Sequence, residues 1–122
     1  NSRCISCGAC TIACSTCTCF TTTDIIYNEN GSVGERKRTS ASCQVKGFSD
    51  MAGGMSFRKT AAERMRYKVL HKFHDYKARF KDYHMCVGCG RCIDRCPEYI
   101  SIAATVEKMS KAIDEIVAEE NK

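Results

Sequence analysis

Eleven of the 122 residues are cysteine, and most of them fall in two runs. The first run reads RCISCGACTIACSTCTCF and holds Cys4, Cys7, Cys10 and Cys14, with Cys17 and Cys19 just beyond. The second reads MCVGCGRCIDRCPEYI and holds Cys86, Cys89, Cys92 and Cys96, followed at once by Pro97. Both carry the spacing C-x2-C-x2-C-x3-C, and Cys43 stands alone between them.

That spacing has a mechanical meaning. Thiolates two residues apart wrap a turn around one corner of an iron–sulfur cube and bind three of its irons. The residues between them must be small or tolerate a left-handed backbone, and Gly8, Gly88 and Gly90 occupy such places. The fourth cysteine has already entered a helix that points away, so it reaches the other cluster. The spacing therefore predicts two [4Fe–4S] clusters with crossed ligands. Cys4, Cys7 and Cys10 with Cys96 hold one; Cys86, Cys89 and Cys92 with Cys14 hold the other. An uncrossed arrangement, with each run closing on its own cluster, is the alternative. Zinc is disfavoured, because zinc sites use paired C-x2-C units and not runs of four. Cys17, Cys19 and Cys43 could supply a third metal site or a redox pair. The plainer reading makes them small buried apolar side chains beside the clusters.

The elements that must position these loops are mostly helical. From Thr60 to Tyr83, Met65, Val69, Phe73, Tyr76, Phe80 and Tyr83 recur at steps of three and four, one face of a helix over 60–83. Ile102, Val106, Met109, Ile113 and Ile116 do the same over 98–120, with an acidic end at Asp114, Glu115, Glu119 and Glu120. Between the cysteine runs, Phe20–Arg38 alternates weakly around Asn30-Gly31, which predicts a short hairpin or extended excursion. The Gly53-Gly54 pair in the following loop suggests either a close backbone approach or an ordinary turn. The expected fold class is mainly α, an α-helical ferredoxin-like dicluster domain with a small irregular or β-hairpin excursion. Its cluster loops are 4–19 and 86–97.

Composition agrees that cysteine chemistry holds the chain together. Leu, Ile, Val and Phe number only 21 of the 122 residues, too few for an ordinary aliphatic core in a charged sequence. One domain is expected at this length. No run of 18 apolar residues is present, so no membrane span is expected. No signal peptide is visible, and an odd cysteine count with ligand-type spacing speaks against a disulfide framework. A reducing, cytoplasmic compartment is expected.

Charge is uneven. The segment Arg58–Lys81 carries nine Lys or Arg against Glu63 and Asp75. A basic helix over 58–81 could face nucleic acid or an acidic surface. Each cluster with its four thiolates brings about −2, however, and two would take the formal +5 to about +1. Cluster compensation plus a solvated face is the favoured reading, and nucleic acid is not expected as a partner. His84, close to Cys86, could tune a cluster through a hydrogen bond or simply end a helix. His71 and His74 share a face without a third donor. Asp94, Arg91 and Arg95, among the second loop's cysteines, are candidate tuning or docking charges.

The ordered set CISCGACTIACSTCTCF, SCQVKGFSDMAGG, RMRYKVLHKFHDYKARF and MCVGCGRCIDRCPEYI resembles the C-terminal dicluster ferredoxin domain found in the A-type iron–sulfur subunits of anaerobic sulfite reductases. The related β subunits of sulfhydrogenases, cytosolic nickel–iron hydrogenases, are similar. The resemblance runs from about Ser2 to Ile102, and Cys17, Cys19 and Cys43 also fall where the family has cysteines. Ser15 departs from the Pro usual after the fourth cysteine. The resemblance implies an iron–sulfur subunit in a hetero-oligomer. A flavin subunit oxidising NADH would feed it, and a catalytic reductase subunit, reducing sulfite to sulfide or acting as a hydrogenase, would receive its electrons. It also implies a longer parent subunit, of which this chain is a C-terminal piece.

Nothing in the chain supplies a catalytic site of its own. There is no Ser/His/Asp set, nucleotide loop or haem-binding signature, and both cysteine runs begin C-x2-C, unlike the C-x3-C-x2-C run that radical enzymes use. The leading expectation is a relay of single electrons. The rival of another class is a metal-stapled module that binds nucleic acid or protein through the basic helix, its metal serving only the fold.

Overall fold

The computed structural model describes residues 3–121. In chain order it runs α1 (Ala9–Ile12), β1 (Phe20–Ile26), β2 (Gly34–Ser40), α2 (Ala61–Leu70), a π-helical turn (His71–Asp75), α3 (Tyr76–Phe80), α4 (Arg91–Asp94) and α5 (Ile102–Glu120).

The two short helices belong to the cysteine loops. Gly8 (φ 79°) and Gly90 (φ 75°) both turn the chain through the left-handed region, and each opens a four-residue helix. α1 and α4 contact one another, so the two loops meet back to back.

β1 and β2 form an antiparallel hairpin in the register Phe20↔Ser40 to Ile26↔Gly34. Its turn is held by Asn28 Oδ1, which accepts from Val33 N at 3.1 Å, and by Asn30 Oδ1, which accepts from Ser32 N at 3.1 Å. Opposite each other across the strands, Asp24 and Arg36 make a two-pronged ion pair at 2.6 and 2.8 Å. Both strands are almost wholly exposed, which fits a Thr-rich sequence with no apolar face to bury.

α2 starts at a capping box. Thr60 Oγ1 accepts from Glu63 N at 3.2 Å, and Glu63 Oε2 accepts from Thr60 N at 2.8 Å. The helix then widens. Tyr76 N donates to His71 O, five residues back, and Lys72 O is left to accept from Met85 N at 3.0 Å. The widened turn thereby anchors the chain one residue before Cys86. α5 opens on Ser101, whose Oγ accepts from Ala104 N at 3.2 Å. No helix among the described residues is long and apolar enough to cross a membrane.

The expectation of a mainly α, α-helical ferredoxin-like domain is corrected by these elements. Helix makes up 39% of the chain and strand 13%, so the architecture is a mixed ferredoxin-like dicluster domain. Two features lower the helix content. The periodic pattern over 60–83 is interrupted by the π turn and ends at Phe80, where Lys81 turns left-handed at φ 65°. The weak alternation after Phe20 becomes two complete seven-residue strands. The Gly53-Gly54 pair serves a turn closed by Met51 N to Met55 O at 2.8 Å; a Cβ at either glycine would meet nothing within 4 Å, so there is no close approach.

The interior is unlike an ordinary core. Cys43 and Val69 are the buried apolar residues among those described, whereas Thr11, Ser42, Gln44, Arg64, Lys68 and Lys72 are buried polar or charged ones.

Candidate metal centre

Two cavities open between the cysteine loops and the helices. Cys4, Cys7, Cys10 and Cys96 line the first, with Gln44, Met65 and Glu98 in its wall. Cys14, Cys86 and Cys89 line the second, with Ser15, Thr16, Lys72, Phe73 and Val106. Cys92 and Lys68 stand in the walls of both. The first leaves about 20 Å³ for the centres of water-sized groups and the second about 270 Å³. Each cavity thus gathers thiols from one loop and the fourth cysteine of the other.

The buried cations decide what such cavities can hold. Arg64, Lys68 and Lys72 follow one another at steps of four, so they line one side of the helix that lies over the loops. Their exposures are 6, 2 and 6%. None of the three makes an ion pair with an acid among the described residues. Arg64 spends its fork on structure: it donates to Gln44 O at 2.9 Å, Lys59 O at 2.9 Å and Ser6 Oγ at 3.0 Å, which clamps the first loop to the following segment. Lys68 Nζ donates to Cys10 O at 2.8 Å and Lys72 Nζ to Thr16 Oγ1 at 3.2 Å. Burying an ammonium without a counter-charge costs on the order of several kcal/mol. Soft thiolates around each cavity, facing the Lys68 ammonium in the first and those of Lys68 and Lys72 in the second, fit an anionic iron–sulfur cluster in chemistry and in charge.

The thiols themselves respond to this setting. Burial pushes Cys14 up, but the Thr16 hydroxyl and backbone and the Lys72 ammonium outweigh it and leave the thiol below its ordinary range. The Ser15 hydroxyl, donating to Cys89 Sγ at 3.3 Å, and the Arg91 backbone lower Cys89. Cys92 is raised, first by burial and then by Cys14, Cys10 and Cys86, with Lys68 opposing. That Cys92 feels thiols of both loops matches its place between the cavities.

Other candidate residues lie elsewhere. Cys17, Cys19 and Cys43 line neither cavity. Cys43 is buried against Thr11, with Sγ 3.9 Å from Oγ1, and Cys17 is raised by burial beside Cys19. Among the described residues, no three His, Cys, Asp or Glu side chains converge as a single metal ion would require. His71 stacks on Tyr67 at 4.8 Å, with Nδ1 2.7 Å from Tyr67 O, and burial pushes it down. His74 pairs with Asp75 at 2.9 Å on the surface. The His84 ring lies 6.1 Å from Phe73 and lines neither cavity. Arg91, Asp94 and Arg95 line a separate open groove with Ala9, Ile12 and Ala13, between α1 and α4. The residues that sequence reasoning passed over are Lys68, Lys72, Thr16 and Gln44. The signal for the two lysines is a basic residue at every fourth position beside the apolar stripe, which reads equally well as a solvated face; Thr16 and Gln44 carry none.

Comparison with known proteins settles the family. A family model described as a 4Fe–4S dicluster domain matches residues 3–100. The chain belongs to that family. It carries two [4Fe–4S] clusters and is an iron–sulfur electron-transfer domain. It is also 33% identical over 112 residues to sulfhydrogenase 2 subunit beta of Pyrococcus furiosus, a match covering 91% of this chain and 32% of that protein. The chain thus spans about a third of the length of the relative it matches. The relative falls on the sulfhydrogenase side of the resemblance, and it gives no support to sulfite reduction. No solved structure matches the chain.

Proposed function

We propose that the chain relays single electrons between two partner subunits, through two clusters held by crossed ligand sets. Cys4, Cys7, Cys10 and Cys96 form the first set; Cys14, Cys86, Cys89 and Cys92 form the second. The observation that carries this reading is the common wall. Cys92 and Lys68 line both cavities, so the two sites are separated by a single layer of side chains and an electron has a short path between them. When bound, the clusters supply reversible one-electron chemistry at low potential. The protein needs no acid, base or nucleophile for this. Its loops exclude water on one side, its lysines balance charge, and backbone and hydroxyl groups donate to sulfur.

The electron donor we propose is a flavin subunit that oxidises NADH, and the acceptor a catalytic subunit in a cytoplasmic hetero-oligomer. A hydrogenase-type acceptor is favoured, because the matched relative is by name a sulfhydrogenase subunit. A sulfite-reducing acceptor rests on the order of the motifs alone. The chain is read as one dicluster domain of a longer subunit, in keeping with its 32% share of that relative. Binding of nucleic acid through 58–81 is disfavoured, because Arg64, Lys68 and Lys72 face inward and are withdrawn from any outer surface.

The test is a reductive titration without oxygen. Dithionite should deliver about two electrons per chain, and reoxidation should return the starting spectrum over repeated cycles. A chain that takes up no electrons, or that loses its metal on the first reduction, would leave the metal with a structural role and overturn the relay.

A further inference from the structure

The two ligand sets resting on this reading receive unequal electrostatic support. At the second set, Lys72 Nζ donates to Thr16 Oγ1 at 3.2 Å, which leaves the Thr16 hydroxyl proton free to point at Cys14 Sγ, 3.6 Å away. Ser15 Oγ donates to Cys89 Sγ at 3.3 Å. Among the described residues no Asp or Glu lines this cavity, and Lys68 and Lys72 both do.

At the first set the balance differs. Glu98 and Lys68 stand in the wall, buried Arg64 is held away from sulfur by Ser6 Oγ and Gln44 O, and exposed Arg3 bonds the Glu98 backbone oxygen. Gln44 is fully buried, and its Nε2 donates to Arg64 O at 2.9 Å, which fixes the amide. Its Oε1 therefore faces Cys4 Sγ, 3.9 Å away, and brings the negative end of a dipole to the thiolate. Among the described residues, the one protein donor to a sulfur of this set is Ile100 N to Cys96 Sγ at 3.3 Å. Solvent access does not separate the sets, since Cys7 and Cys89 are both exposed and Ile5 and Val87 are 62% and 66% exposed beside them. Reduction adds a negative charge. Cations and donors to sulfur favour the reduced form, whereas a carboxylate and a carbonyl oxygen disfavour it.

We propose that Lys72, acting through Thr16, and Ser15 hold the second ligand set at a higher reduction potential than the first, so that an electron delivered to the chain comes to rest beside Cys89. In that step one electron leaves the first site, which is oxidised, and enters the second, which is reduced; no bond or proton need move. Lys72, Thr16 and Ser15 are positioning residues.

The experiment is an EPR-monitored potentiometric titration of the chain with iron and sulfide assembled, using dithionite as reductant. The unaltered chain should give two separate midpoints. Lys72→Met should lower the higher one, so that at a fixed potential its reduced-to-oxidised ratio falls about tenfold, about 59 mV for a one-electron couple, while the lower stays put. Lys72→Arg should restore it. Ser15→Ala, a small change at an exposed position, should move the same midpoint by a lesser amount, and it keeps the test decisive if Lys72→Met fails to assemble. Full iron and sulfide with unmoved midpoints, or movement of the lower one, would overturn the proposal and leave the relay intact. Absence of any iron–sulfur signal in the unaltered chain would remove both.

Discussion

The two cysteine loops share a spacing and a backbone, yet they lie in different surroundings. Each turns left-handed at a glycine and enters a four-residue helix. The first is covered. Arg64 ties Ser6 to the segment after the hairpin, Ser42 and Gln44 are buried against it, and a Cβ on Gly8 would stand 2.8 Å from Ser42 Oγ. The second has no such cover at its glycine: a Cβ on Gly90 would meet nothing within 4 Å, although Val87 and Cys89 face solvent just as Ile5 and Cys7 do in the first. Ligand spacing fixes the turn that presents thiolates, and it does so in both loops. Cover is supplied by distant parts of the chain, and it separates a packed glycine turn in the first loop from an open one in the second.

The largest effect should come from breaking the second loop at a ligand. Cys89→Ser should lose or convert one cluster, removing about four of roughly eight irons and stopping electron transfer through the chain. Cys19→Ser, outside both cavities, should keep the full complement. Two unaltered reduced-cluster EPR signals in Cys89→Ser would contradict its assignment as a ligand.

A smaller effect sharpens the contrast in cover. Gly90→Ala places a side chain at φ 75° in open space, which costs about 1–2 kcal/mol in backbone strain alone. Gly8→Ala adds a clash with Ser42 and with Val45 Cγ2 at 3.2 Å, worth about 1–3 kcal/mol more. Bleaching of the visible iron–sulfur absorbance on heating should therefore be accelerated further in Gly8→Ala. Equal rates for the two variants would show that the cover over the first loop contributes nothing.

Much of the site was legible because ligand spacing is local. The cysteines that line the two cavities are those the two motifs single out, and the glycines that turn the loops are those the spacing demands. The first helix is expected from Thr60, which caps α2, whereas the second is expected from 98 and α5 begins only after its cap Ser101. The rest depended on tertiary placement. Lys68 and Lys72 look like any surface lysines in sequence, since nothing local says which side of a helix will lie over thiolates. The π turn at His71–Asp75 follows from the bond between Lys72 O and Met85 N, a contact 13 residues apart that periodicity does not encode. The hairpin was recognised at its Asn30-Gly31 turn, but its length was understated because Thr-rich exposed strands lack an alternating apolar face. Those strands and the shortened helix together produced the correction from mainly α to mixed.

The central claim is that this chain is built around two iron–sulfur clusters, and metal analysis tests it most directly. Assembled without oxygen, the chain should contain about eight iron and eight sulfide and no stoichiometric zinc, with spin-coupled EPR signals after dithionite reduction. About twelve iron would add a third site and bring Cys17, Cys19 and Cys43 into it. Zinc without sulfide would contradict the account.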